Sequence, residues 1–351
     1  MPDWIQTLKE LLLEDVRPLG GQHPASLPFA AGEPDWMADL YEAQAHLRDR
    51  VWPLLATDPG GSFALAPLHL LTGLLMLGTD QQADTTPAER CRTLLAGVPE
   101  TWRSQQLLWY HLDMSPARER REAARLFFRS TWRALDFRDP AAPVQVQQTL
   151  ADFLGVPVAW PAALPGHMHY AQLFRLHGRT RADHPVVWRD FDAGAGRREN
   201  QPFCCIEGNF EVATPASGVC VRLPLGELRL WLYLPATTGT QPLPGGLAWT
   251  TRPLRLYLPA NPWLFQTHLR TPLEAVGLGG CFAAADRPGD PGDHLDSWLQ
   301  CGSIDVAAAL RGTYLLRGHP PESYAFDRPF AFRISAADRD QGLLDGWRAG
   351  G

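Results

Sequence analysis

Between Met37 and Leu55 the apolar side chains Leu40, Leu47, Val51 and Leu54 recur at near-helical spacing, and Pro59-Gly60-Gly61 closes the run, so a helix is predicted there. Upstream, Asp3 can cap a helix that carries Ile5, Leu8, Leu11 and Leu12 on one side. The stretch Arg17 to Pro34 then breaks regular structure with repeated Pro and Gly. "SFALAPLHLLTGLLMLG" reads as a short strand turning into a buried helix at Pro67, a position where the first helical turn tolerates proline. From Ser115 to Leu154 the pattern is helix, strand-like turn, helix, and "ARERREAARLFFRSTWRAL" has one charged and one apolar face.

After His167 the period changes. "YAQLFRL", "GVCVRLPL", "LRLWLYLP" and "LRLYLP" are alternating or continuous apolar runs between Gly, Pro and Thr turns, which predicts antiparallel strands. A late helix falls in "TPLEAVGLGG", Thr271 to Gly280. Helices first and strands second make an α+β chain. The expected organisation is an N-terminal helix and Pro/Gly-rich linker over residues 1–36 and a single domain over 37–351.

Composition narrows the function classes. With 351 residues, 45% hydrophobic, 13 Trp and 15 Phe, the chain can bury a large core. Its net charge of -6, without a basic stripe or polybasic run, argues against nucleic acid and anionic membranes as partners and leaves protein partners, with a monomer as the default state. Lys9 is the only lysine, so arginine carries nearly all basic charge, as a GC-rich viral or bacterial genome would produce. "LHLLTGLLMLG" is too short to span a bilayer. The first residues lack the basic start and apolar block of a secretory signal, which predicts a cytoplasmic or nuclear protein, or a secreted one if the true start lies upstream.

Enzymatic chemistry finds little support. Cys91, Cys204, Cys205, Cys220, Cys281 and Cys301 are scattered without a CxxC pair, so buried reduced thiols are expected rather than a zinc cage or a disulfide framework. Cys204-Cys205 has no base and orienter recognisable as partners, and His167 and His169 lack a third metal ligand. Glu119, Glu122, Asp136 and Asp139 read as solvated helix faces and turns. The expectation is a non-enzyme without metal or cofactor.

Three separated segments resemble the serpin family. "SFALAPLHLLTGLLMLGTDQQADT" (Ser62 to Thr85) resembles its strand-to-helix segment. "RPLRLYLPANPWLFQTHLRTPLEAVGLGGCFAAADRPGD" (Arg252 to Asp290) is similar to its run of a strand ending in Leu-Pro, a short helix and an Ala-Asp turn. "YAFDRPFAFRI" resembles its C-terminal signature through Phe326, Asp327, Arg328, Pro329 and Phe330, although Ala331 stands where a bulkier apolar residue is usual. The resemblance covers the chain from about Met37 onward. It implies a serpin-like fold, with helices packed on three mostly antiparallel or mixed β-sheets and an exposed reactive loop near the C-terminus.

The same resemblance implies a spring: a protease cuts the loop, which then inserts as an extra strand into the main sheet and drags the acylated protease with it. Aligned on Pro320-Pro321-Glu322, Arg317-Gly318 falls at the scissile bond, which would suit a trypsin-like serine protease. Counted back to Ser303-Ile304-Asp305, the inserting stretch is roughly five residues short, or ~16 Å of strand. Its hinge keeps only Gly312-Thr313, followed by the bulky Tyr314, Leu315 and Leu316 where small residues are required. The polar "shutter" positions beneath the sheet align with Ser62, Ala66, His69 and Trp298, which predicts a hydrogen-bonded network replaced by apolar and bulky groups. Together these departures predict a non-inhibitory binding protein; the alternative is an inhibitor of a trypsin-like protease with Arg317-Gly318 as bait.

Overall fold

The computed structural model describes residues 35–57, 61–78, 101–160, 164–176, 184–193, 197–282, 294–310, 322–337 and 342–350, with isolated positions between 89 and 99 and at 340. The first helix, α1 (Asp35–Leu55), is followed by β1 (Phe63–Leu65) and α2 (Pro67–Gly78). Then come β2 (Trp102–His111), α3 (Arg118–Phe128), β3 (Ser130–Leu135), α4 (Ala142–Leu154) and β4 (Met168–Leu176). Strands β5 (Val186–Asp192), β6 (Arg198–Ala213), β7 (Gly218–Leu225), β8 (Leu228–Pro235), β9 (Thr250–Pro259) and β10 (Trp263–His268) precede the short α5 (Arg270–Ala275). The chain finishes with β11 (Ser297–Ile304), the helical turn α6 (Val306–Ala309), β12 (Ser323–Ala325), β13 (Phe330–Ala336) and β14 (Gly342–Arg348).

A five-stranded sheet runs β10-β11-β4-β2-β3, with β4 and β11 parallel at its centre. Both its faces are covered, which is why its strands read as nearly continuous apolar runs. Leu107, Trp109, Ala171, Leu173, Leu299 and Cys301 face Val146, Leu150 and Leu154 of α4. On the opposite face Leu108, Tyr170 and Trp298 pack with Leu70, Leu71 and Leu74 of α2.

The other strands form one nine-stranded network, β1-β14-β13-β8-β7-β6-β9-β12 with β5 on β6. The 16 residues of β6 make it continuous: its first half pairs β5, its middle and end pair β9, and Glu211–Ala213 pair β7. What the resemblance counts as the second and third sheets thus share one strand. The expected late helix is shorter, ending at Ala275, with a 3-10 turn at Gly279–Cys281 behind it.

The C-terminal signature locks the two sheets together. Phe326 and Phe330 are fully buried, their rings lie edge to face at 5.3 Å, and Phe330 meets Trp263 of β10 in the same way at 5.3 Å. Asp327 accepts the Asp192 amide at 2.7 Å through its carbonyl and lies 3.7 Å from Arg189, while Arg328 donates to the Pro235 carbonyl at 3.0 Å. Truncating Phe330 to Ala opens a cavity between the sheets and is expected to lower the unfolding free energy by about 3–5 kcal/mol, read as a shifted denaturant midpoint with an unchanged m-value.

Candidate functional site at the β4–β11 junction

Strands β4 and β11 are in register from His169↔Ser297 to Leu176↔Ile304, so the sheet is closed along the whole junction where an extra strand would have to enter. One transverse row of side chains crosses this sheet from edge to edge: Ser130, Gln106, Gln172, Gln300 and Thr267, on β3, β2, β4, β11 and β10. Every one of them is buried. Burying amides is costly unless their donors and acceptors are matched, and here they are matched to one another and to α2.

Gln172 sits at the centre. Its carbonyl oxygen accepts from Gln300 Nε2 at 2.7 Å and from Trp298 Nε1 at 3.2 Å, and its Nε2 donates to the Tyr170 hydroxyl at 3.0 Å and to the His69 carbonyl. Tyr170 in turn donates to Gln106 Oε1. Gln106 Nε2 donates to the Phe128 carbonyl at 3.0 Å and to Thr72 Oγ1 at 3.3 Å. Gln300 grips the residue before α2 from both sides, accepting from the Ala66 amide at 2.9 Å and donating to its carbonyl at 3.3 Å. Thr267 does the same at Ala64. Gly73 leaves room for the indole: a Cβ there would lie 2.4 Å from the Trp298 ring.

Of the four positions aligned with the family's shutter, the structure brings Ala66, His69 and Trp298 to this row and not Ser62, whose hydroxyl accepts the Ala349 amide at 3.0 Å. The expected apolar replacement of the network is therefore not what lies beneath the sheet. A hydrogen-bonded network is present, built from strand glutamines rather than from the β1–α2 segment. Gln106, Tyr170, Gln172 and Gln300 were missed in the sequence. The available signal was a glutamine two residues after an aromatic in both "YAQ" and "WLQ", which puts each pair on one strand face.

His69 contributes only its carbonyl. Both ring nitrogens are buried without a hydrogen-bond partner, and the ring lies edge-on to Phe174 at 4.8 Å. Burial alone drives its pKa from the ordinary 6.5 down to about 3. At the lower end of the junction His169 Nδ1 lies 2.8 Å from Ser297 Oγ, and burial, opposed by the Asp296 charge and a hydrogen bond to Pro165, brings its pKa down to about 4.

At the upper end β11 does not run on into an extended hinge. Asp305 Oδ1 accepts the Ala308 amide at 2.9 Å and caps the helical turn α6. Val306, Ala308, Ala309 and Leu310 are buried, and His184 Nε2 lies 3.2 Å from the Leu310 carbonyl. Gly312, Thr313, Arg317 and Gly318 lie outside the described residues. The cysteine chemistry considered in the sequence has no activated thiol behind it at Cys204, where burial pushes the pKa up to about 12 and Sγ donates to the Leu258 carbonyl at 3.4 Å.

Against known proteins, no family model matches the sequence and no curated relative is similar to it. The fold is that of the serpins. One solved structure that it resembles is that of native protease nexin-1 with heparin, with a TM-score of 0.72, 16% sequence identity, and coverage of 89% of this chain and 99% of that one.

Gln172→Leu strands the Trp298, Gln300 and Tyr170 groups and is expected to cost about 2–4 kcal/mol. Combining it with Gln300→Leu should cost less than the two single changes together, because both partners then leave the row; chemical denaturation of the four-member cycle reads this. A second expectation concerns acid. The unfolded chain protonates His69 and His169 near pH 6.5, whereas the folded chain does so only near 3 and 4, so stability is full above pH 6.5 and falls as pH drops through that window. Each histidine contributes up to about 1.4 kcal/mol per pH unit. His69→Leu should flatten the fall in melting temperature between pH 6.5 and 4; an unchanged slope would count against the buried neutral ring.

Proposed function

We propose that this chain is a divergent, non-inhibitory serpin that acts by binding a protein partner rather than by trapping a protease or catalysing a reaction. The observation that carries the reading is the capped turn after β11. A trapping spring needs the residues beyond Ile304 to peel away and run down between β4 and β11. Here Asp305 caps α6, and Val306 and Leu310 are sunk in the core between the sheets.

Extraction would give up about 0.5–2 kcal/mol for the cap and about 1.5–3 kcal/mol for each large apolar side chain. Insertion would then sever the side-chain links across the junction, His169 to Ser297 and Gln172 to Trp298 and Gln300. The bulky Tyr314, Leu315 and Leu316 and the shortened count from Asp305 to Pro320 support the same reading from the sequence.

The test is incubation with trypsin-like serine proteases, followed by a denaturing gel and a melting curve. The expected outcome is no protease adduct that survives denaturation and, if the chain is nicked at Arg317, no large rise in melting temperature. A covalent adduct together with a large rise would establish the alternative, an inhibitor with Arg317-Gly318 as its bait bond.

A further inference from the structure

Helix α3 carries Arg118, Arg121 and Arg125 at i, i+3 and i+7, a single stripe, and Arg129 continues it at the left-handed C-cap. From Ala117 to Arg129 the chain has five arginines and two glutamates, a local net charge of +3 in a protein whose total is -6. Arg118 is paired with Glu122 at 2.9 Å, and Arg121 reaches the Tyr110 hydroxyl at 3.5 Å. Arg125 and Arg129 are exposed and have no carboxylate partner among the described residues.

The stripe forms one wall of a cavity of about 380 Å³ whose other wall is Ser130, Thr131 and Trp132 of β3. That strand is the edge of the five-stranded sheet, hydrogen-bonded to β2 on one side and to no strand on the other among the described residues. Thr131, Arg133 and Ala134 along it are exposed, and Leu126 on the facing helix is 56% exposed. Two buried polar atoms in the lining, Ser130 Oγ and Trp132 Nε1, have no hydrogen-bond partner.

We infer that the groove between α3 and the free edge of β3 docks an extended acidic peptide segment of a protein partner, which pairs its backbone with β3 and its carboxylates with Arg121 and Arg125. This deepens the binding function proposed above by giving it a surface. Charge alone would suit any polyanion, but an unpaired strand edge offers alternating amides and carbonyls that only another peptide backbone matches. The spacing agrees: alternate side chains of an extended peptide recur every ~7 Å, and successive turns of α3 bring an arginine every ~5–6 Å, a difference flexible guanidinium stems absorb. Because the rest of the chain is acidic, an acidic segment is repelled elsewhere and steered to this groove.

The probe is a fluorescently labelled peptide alternating glutamate and valine, titrated into the full chain and followed by anisotropy. Expected are saturable binding that weakens as salt rises, an approximately tenfold or greater loss in the Arg121→Ala/Arg125→Ala variant, and a similar loss when alternate peptide amides are N-methylated so that they cannot pair. Both arginines are exposed, so the variant should melt with the parent; if it does not, charge-retaining Arg121→Lys/Arg125→Lys should bind within a few-fold of the parent, and equal loss there overturns the proposal.

Absence of binding, an N-methylated peptide that binds as well as the parent, or a sulfated oligosaccharide or single-stranded oligonucleotide that binds more tightly than the peptide also overturns it. The two proposals fail separately. A protease adduct with peptide binding intact removes the non-inhibitory reading alone, and lost peptide binding without an adduct removes this surface alone.

Discussion

Carrying amides through the middle of a dry interior is the constraint on which this molecule is built. Gln106, Gln172 and Gln300 lie side by side across three adjacent strands, between a sheet and an apolar helix, where an unmatched amide would cost several kcal/mol. Their hydrogen bonds fix three things together. They hold the strand register, because a slip by one residue would turn every glutamine to the face covered by α4. They place the start of α2, through Ala66 and the His69 carbonyl. They also tie β4 to β11 by side chains as well as by backbone. His69, with an orphaned ring in the same layer, is the part of this arrangement that acid attacks first.

The row also bears on how the sheet can behave. A strand entering between β4 and β11 would separate Gln172 from Gln300 and would have to supply, at the same level, a side chain that both donates and accepts. The residues that immediately follow β11 are Val306, three alanines and Leu310, which offer neither group and already have a buried place of their own. A segment that is folded in one location can act as a spring only if the second location is lower in free energy by more than the cost of leaving the first. Here the first location is well supplied with contacts, and that asymmetry favours a scaffold with one state. Functional contact then falls to surfaces, where the concentration of arginine along α3 stands out against an acidic background.

Much of the architecture was legible along the chain. Runs such as "LRLWLYLP" and "GVCVRLPL" announce β8 and β7 because period and residue type agree, and the Phe326 to Phe330 signature marks the crossing that locks the sheets. The strand β2 went unrecognised: it starts with Arg103, Ser104, Gln105 and Gln106 and ends in an unbroken buried run, so it shows neither alternation nor a uniformly apolar face. The turn α6 was hidden for another reason. "DVAAAL" has helical propensity, but four residues cannot form a stable helix without the core that buries Val306 and Leu310.

What the sequence by itself determined, then, is the set of elements, their order and the family-like signature, since these follow from local period, turn chemistry and short motifs. Only the tertiary structure decided which polar residues share a level, because Gln106, Gln172 and Gln300 are separated by 66 and then 128 positions and meet through strand register alone. It likewise brought the arginines of α3 beside the open edge of β3, since whether a strand lies at an edge is a property of sheet order and leaves no mark on the strand's own residues.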